Sequence, residues 1–238
     1  MKERPILMSG AMVRATLRDV YPKTQTRRLV KLPHNNPLGQ WEPMTFGGPN
    51  GGRTSAGAAV PLQGGVWHTR TGECLASPHG QPGDRLWVRE AWRYDGWCPS
   101  QYRNMAQGAM AVGIRYAADD AMIDHRVEDF SCDKHMSLRP SIHMPRWASR
   151  LTLEITDVRA ERLQDISEQD AASEGVESLR NEGELWKDYL RSTAHCDELL
   201  CLSARESFRT LWDKLAAPDA DWQTNPWVWV IEFKRVMP

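Results

Sequence analysis

The sequence has no long apolar run, and one of its longest, Trp227 to Ile231, covers only a few residues. A membrane-spanning helix needs about 20 predominantly apolar residues, so none is predicted. Near the N-terminus, Arg14 and Arg18 interrupt the apolar residues that a secretory signal would require. We therefore expect a cytoplasmic protein with no membrane partner.

Cysteine is scarce and irregularly placed, with only five residues, and an odd number does not suit a disulfide framework. Two groups, Cys132 with His135 and His195-Cys196 with Cys201, hold metal-ligating residue types close together. Neither contains the Cys-x-x-Cys pair that is typical of structural zinc. The sequence therefore predicts reduced thiols and no metal.

An excess of charge of one sign is also missing, since the formal net charge is −1. A general nucleic-acid coat, which would be strongly basic, is not indicated. The balance is uneven, however, because residues 151–238 carry 10 basic and 18 acidic side chains while residues 1–150 carry 20 and 13. The N-terminal part is expected to offer either an anion-attracting face or an ordinary solvated basic surface.

The chain of 238 residues is long enough for one sizeable core, and it contains no internal repeat and no clear linker. We predict a single α+β domain over residues 1–238. Residues 35–82, rich in Gly, Pro, Asn, Ser and Thr, are predicted to be an insertion that is mostly loop. Residues 94–146 are predicted to be a second insertion, with one strand at 113–117.

Several elements are predicted from local periodicity and capping residues. Apolar residues at helical spacing predict a helix after Gly10 and another over Ser203 to Ala216. Ser167 and Asp170 form a capping signature for a short helix that stops at Gly175. Strands are predicted by β-forming or alternating residues at 5–9, 85–92, 149–156 and 227–236.

One short segment, Pro22-Lys-Thr-Gln-Thr-Arg-Arg28, places a lysine three residues before a threonine directly after the first helix. A threonine hydroxyl becomes a nucleophile when a base removes its proton, and a desolvated lysine with a lowered pKa can be that base. The segment on its own fits a basic surface turn better than a catalytic pair, because lysine and threonine at this spacing are common. Lys23 and Thr26 are therefore candidates for a base and a nucleophile.

The order of these motifs resembles the ASCH superfamily: Lys-Thr-x-Thr-x-Arg after a helix, Gly83-Asp84 before a strand, a Glu-bearing short helix and a terminal Val-Ile-Glu-Phe-Lys strand. The resemblance covers roughly residues 5–31, 82–92 and 148–238. It implies a PUA-like β-barrel with flanking helices. The family usually has glycine two residues before the lysine, where this chain has Tyr21.

Within that superfamily the chain is most similar to bacterial amidohydrolases that remove the acetyl group from N(4)-acetylcytidine. The resemblance implies that Lys23 is the proton acceptor, Thr26 the nucleophile and Glu174 the proton donor. It implies no metal and no cofactor. A small-molecule nucleoside is the expected substrate, and RNA is a possible partner; long forms with such insertions are similar to phage and prophage proteins.

Six further residues could bind the substrate. Arg28, Arg89 and Glu90 could bind ribose, a base edge or a developing oxyanion, although ordinary salt bridges would explain them equally well. Trp92 and Trp147, with Tyr94, could stack on a pyrimidine, or could simply pack in the core or the insertions.

Two other functions remain open. PUA-like barrels also serve as non-catalytic modules that bind RNA or modified bases, and a fold alone does not decide function. A phage structural or assembly accessory whose insertions bind protein is the third possibility. The combination of Lys23, Thr26 and Glu174 favours the enzyme, because a binding module needs shape, stacking and charge but no pair of base and nucleophile.

Overall fold

The structure, a computed structural model, describes residues 1–48, 53, 57–60, 62–95, 110–127, 137–178, 185–191 and 200–236. Within these residues the protein is an α+β fold in which strands far outnumber helices. This confirms the predicted α+β class, while the PUA-like barrel stays a prediction.

The strands of the described residues are numbered in chain order. They are β1 Glu3–Leu7, β2 Gln25–Leu29, β3 Trp41–Phe46, β4 Gln63–His68, β5 Cys74–Ala76, β6 Arg85–Arg89, β7 Trp92–Asp95, β8 Met110–Tyr116, β9 Met122–Val127, β10 Thr152–Arg162, β11 Trp186–Lys187, β12 Leu200–Cys201 and β13 Trp227–Val236.

The α-helices are α1 Gly10–Leu17, α2 Glu168–Ser173 and α3 Ala204–Leu215. Each begins after a serine, Ser9, Ser167 or Ser203, whose side chain accepts a hydrogen bond from the backbone N–H three residues on. Such a cap satisfies one of the amide groups that a helix N-terminus leaves unpaired. All three helices were predicted, and all three are confirmed.

The central sheet has the strand order β1-β6-β10-β13-β2. β1 and β6 run parallel, and every other neighbouring pair in this sheet is antiparallel. β13 is buried on both faces: Trp229 and Ile231 pack into one apolar cluster with α1, and Val228 and Val230 pack into a second with α2 and α3. α1 and α3 therefore pack against opposite faces of the sheet, and β2 is the edge strand next to which both helices come close to each other.

β10 is longer than the predicted strand at 149–156. Its register against β13 shifts between Ile155 and Asp157, where one extra residue forms a β-bulge. The buried positions accordingly change from Leu153 and Ile155 to Val158 and Ala160. The sequence alternation breaks at the bulge, which explains why the strand was predicted to end there.

Residues 35–82, predicted to be mostly loop, contain three strands that were not predicted, β3, β4 and β5, which form an antiparallel sheet. β4 lies against β10, and a Cβ atom at Gly64 would come within 2.6 Å of the Val158 carbonyl oxygen. Glycine here permits close packing of two strands. The Gly-rich composition that predicted a loop therefore also occurs in a segment that contains three strands.

Residues 94–146 contain most of a second small antiparallel sheet, with the order β7-β8-β9. The strand predicted at 113–117 is confirmed as part of β8, which starts at Met110. A two-stranded sheet of β11 and β12 lies beside α3. None of the described helices is long and apolar enough to cross a membrane.

Candidate functional site

The segment that leads into β2 is held between two helices. The Lys23 N–H donates to the Ala15 carbonyl of α1 at 2.9 Å, and the Thr24 N–H donates to the Ser173 carbonyl of α2 at 3.0 Å. Tyr21, two residues before the lysine, has a φ of 51°, in the left-handed region that glycine favours. This is the position at which the family that the motif resembles usually has glycine.

Glu174 follows α2 and is brought against Lys23 by the glycine after it. Gly175 has a φ of 83°, and a Cβ atom added to it would lie 2.8 Å from the Ala15 Cβ and 2.9 Å from the Lys23 Cβ. Only glycine allows this approach of the helix end to α1 and β2. The close contact fixes the backbone of Glu174 beside the lysine.

Lys23 and Glu174 form a buried ion pair. Lys23 Nζ lies 2.8 Å from Glu174 Oε2 and also donates to the Glu174 carbonyl oxygen at 2.6 Å. The two side chains are 2% and 4% exposed, so the pair is almost fully shielded from water. A proton can therefore pass between the two groups along a direct hydrogen bond.

Burial lowers the pKa of Lys23 from its ordinary value, because removal from water disfavours the charged form. The negative charge and hydrogen bond of Glu174 oppose this effect, and the positive charges of Arg28 and Arg27 reinforce it. A lysine with a lowered pKa is a better proton acceptor near neutral pH than an exposed one.

Thr26 lies in β2 opposite Ile231 of β13, and it is 1% exposed. Because successive side chains in a strand point to opposite faces, Thr26 and Arg28 share one face while Gln25 and Arg27 share the other. The Arg28 guanidinium donates to the Leu7 carbonyl oxygen at 2.6 Å. Burial lowers the pKa of Arg28, and the charge of Glu174 opposes that shift.

A cavity of about 310 Å³ brings these groups together. Lys23, Thr26, Arg28 and Glu174 all line it, so the three predicted catalytic residues and one predicted binding residue share one space. α1 contributes one wall and the apolar side of α3 the other. The remaining lining residues are Ser9, Ala11, Met12, Arg27, Leu29, Gly175, Glu177, Tyr189, Phe208, Leu211, Trp212, Leu215, Ala216 and Ala217.

Arg27 is a part of the site that the sequence reasoning missed. Its side chain is fully buried, and its guanidinium donates to Glu174 Oε1 at 3.2 Å and to Glu161 Oε2 at 3.1 Å. Asp170 Oδ2 lies 3.6 Å from the same guanidinium, which also sits over the Phe208 ring. The sequence contained no sign of this role, because residues 25–29 were not predicted to be a strand and the burial of Arg27 depends on β2.

Two predicted binding residues, Arg89 and Glu90, are engaged elsewhere and do not line the cavity. The Arg89 guanidinium donates to the Ile142 carbonyl oxygen and stacks over the Trp87 ring. Glu90 is 1% exposed and accepts two hydrogen bonds from Arg150, each of 2.9 Å. Both residues therefore join parts of the fold to each other.

Trp92 and Trp147 also lie apart from the cavity. Trp92 is 1% exposed and packs edge-on against Tyr94. Trp147 meets the Trp92 ring edge-on with centroids 6.0 Å apart. These tryptophans belong to the packing around β7 and β8 in the structure.

Four of the candidate metal ligands, Cys132, His135, His195 and Cys196, lie outside the described residues. Cys201 is buried in β12, and burial raises the pKa of its thiol to about 11. Such a thiol is protonated at neutral pH and is a poor ligand or nucleophile.

Comparison of the chain with protein-family models, with curated proteins and with solved structures finds no match. The functional assignment therefore depends on the motif in the sequence and on the geometry of this cavity.

Proposed function

We propose that the protein is an amide hydrolase that removes the acyl group from N(4)-acetylcytidine or a related N(4)-acylated cytosine nucleoside. The observation that carries this proposal is the buried pair of Lys23 and Glu174 in one cavity with Thr26. These are a base, an acid and a hydroxyl, the three groups that amide cleavage through an acyl-enzyme requires.

In the first half of the reaction, the neutral amine of Lys23 takes the proton of the Thr26 hydroxyl, and Oγ1 attacks the acyl carbonyl carbon. The carbonyl π electrons move to its oxygen, where Arg28 on the same strand face can stabilise the negative charge. Collapse of this intermediate breaks the bond to the exocyclic nitrogen, and Glu174 protonates that nitrogen. Cytidine leaves, and Thr26 carries the acyl group as an ester.

In the second half, the Glu174 carboxylate takes a proton from a water molecule, whose oxygen attacks the ester carbonyl carbon. The Thr26 oxygen departs and takes a proton from the Lys23 ammonium, and the carboxylic acid product loses its proton to solvent and leaves as a carboxylate. Only one proton needs to be shared by Lys23 and Glu174, as ammonium with carboxylate or as amine with carboxylic acid. The 2.8 Å contact supports exchange between these two forms, and the second form holds both a base and an acid.

The proposal is tested by incubating the purified protein with N(4)-acetylcytidine and measuring cytidine by liquid chromatography. We expect turnover by the wild-type protein, none by Thr26→Ala, and a loss of at least about 10²-fold in kcat for Lys23→Met. Thr24→Ala is a matched control, because it makes the same chemical change two residues away at an exposed side chain.

Absence of cytidine release from a folded wild-type protein would contradict the hydrolase. If the same preparation bound RNA tightly, a module that reads RNA or modified bases would replace it. Equal turnover by Thr26→Ala and Thr24→Ala would exclude Thr26 as the nucleophile, even if the protein were a hydrolase.

A further inference from the structure

The guanidinium of Arg27 is shared among three carboxylates rather than paired with one. It contacts Glu174 at 3.2 Å, Glu161 at 3.1 Å and Asp170 at 3.6 Å. With its amide oriented to satisfy its neighbours, Gln25 donates to Asp170 Oδ1 at 3.1 Å and accepts from Arg27. Arg27 is therefore held in place from several sides.

The carboxylates on the far side of Arg27 lead toward the surface. Glu161 and Asp170 both contact Arg159, whose side chain is 30% exposed and which also pairs with Glu232. A continuous chain of charged groups thus runs from the buried Glu174 to solvent. The groups along it carry alternating charge.

Glu174 has opposing requirements in the proposed reaction. It must accept a proton from Lys23 and later release one to the leaving nitrogen. The Arg27 guanidinium lies 3.2 Å from the Glu174 carboxyl group, and its positive charge lowers the pKa of Lys23. Glu161 and Asp170 lie against the same guanidinium and offset part of its charge.

We propose that Arg27 is a positioning residue that holds the Glu174 carboxyl group against Lys23 and, balanced by Glu161 and Asp170, sets the pH range in which the pair carries a single proton. This inference rests on the proposed function for its catalytic consequence. It concerns residues that the sequence motif does not assign.

Other charged and titratable groups also lie near Glu174. Arg28 lines the same cavity and interacts with Glu174 through its charge, and Lys23 is the direct partner of Glu174. Glu177 and Tyr189 lie on the cavity wall beyond α2. Among the described residues, Arg27 is the one that links the Glu174 carboxyl group directly to other carboxylates.

The test measures kcat/KM for N(4)-acetylcytidine as a function of pH in two variants, one that removes a positive charge and one that removes a negative charge. Removing the positive charge in Arg27→Met makes both protonation steps of the Lys23–Glu174 pair easier. Both limbs of the bell-shaped profile should then move to higher pH, by about one unit. Glu161→Gln keeps the side-chain shape and removes a negative charge, so both limbs should move to lower pH, by a smaller amount.

The signs of these two shifts separate the proposal from a structural role, since a folding defect lowers activity without moving the limbs in opposite directions. Arg150→Met is the matched control, because it removes a largely buried arginine from its carboxylate partners Glu90 and Asp119, which lie outside the cavity. It should lower stability and leave the pH limits of kcat/KM unchanged.

A second readout does not need turnover. The nitrogen-15 signal of the Lys23 side chain, assigned by its loss in Lys23→Met, should change with pH at a higher midpoint in Arg27→Met than in the wild type, because the charge of Arg27 lowers the pKa of Lys23. This NMR shift would survive even if N(4)-acetylcytidine were not a substrate. Identical midpoints, or limbs that move the same way in both charge variants, would overturn the role of Arg27.

Discussion

Lys23 Nζ lies 2.8 Å from Glu174 Oε2, although 151 residues separate the two in the chain. The contact exists because β2 and the end of α2 meet beside α1, with Gly175 filling the narrow space between them. Burying both charges costs free energy that only close pairing and hydrogen bonding offset. An arrangement of this kind is typical of a site in which a proton is transferred.

Glu174→Gln tests the assignment of the proton donor. A carboxamide keeps the shape but supplies no acidic proton, so cleavage of N(4)-acetylcytidine should slow by about 10²-fold or more. An acyl ester with a much better leaving group needs less protonation, and its hydrolysis should fall less. The ratio of the two losses is measured in one preparation, so that folding defects cancel. Equal losses would mean that Glu174 only positions the site.

Gly175→Ala should lower both stability and activity. An alanine at a φ of 83° is strained by about 1 kcal/mol or more, and its Cβ would press on Ala15 and Lys23. Gly72→Ala is the control, because Gly72 has a φ of 71° and open space around the added Cβ. Urea unfolding and cytidine release are the measurements.

The Gly72→Ala variant should show the backbone penalty alone and keep full activity. If the two alanine variants lost the same stability and neither lost activity, the close approach at Gly175 would have no consequence for the site.

Tyr21→Gly should stabilise the protein, by roughly 0.5–1 kcal/mol. Tyr21 is 78% exposed, so few contacts are lost, while the strain of a left-handed φ of 51° is relieved. The greater flexibility of glycine in the unfolded chain offsets part of the gain. Val20→Gly is the control, since Val20 is also exposed but its φ is not positive.

Val20→Gly should therefore destabilise by about 0.5–1 kcal/mol. Urea titrations of the two variants should move the unfolding midpoint in opposite directions. A lower midpoint for both would show that Tyr21 is not strained.

The partly buried His79 should make the free energy of unfolding decrease as the pH is lowered into the mildly acidic range. Burial, reinforced by the charges of Arg28 and Arg4, lowers the pKa of His79 from 6.5 to about 4. The unfolded chain therefore binds more protons than the native state between these two values, and the free energy of unfolding falls as the pH is lowered from 6.5 to 4. His79→Gln should flatten this decline, as measured by urea unfolding at several pH values. An unchanged slope would contradict the assignment.

Local signals in the sequence were sufficient for the elements that obey simple periodicity. α3 has apolar residues at helical spacing after Ser203, and β13 is rich in β-forming residues, so both were predicted close to their observed ends. The predicted strand at 149–156 ended too early, because the bulge in β10 shifts the alternation of buried and exposed side chains. A bulge depends on pairing with the partner strand, which the local sequence does not show. β4 was not predicted because glycine is uncommon in strands. Gly64 is needed there because the backbone of β10 lies too close for a side chain, and this contact exists only in the folded protein.

The sequence by itself determined the candidates for chemistry that lie close together in the chain, Lys23 and Thr26, because their spacing in one short segment is visible without a structure. It also supplied Glu174 through a resemblance. Only the tertiary structure decided that Glu174 pairs with Lys23 and that Arg27 joins them, while Arg89 and Glu90 are engaged elsewhere. The physical reason is that a buried charge needs a partner, and the folded arrangement of distant segments selects which partner it finds.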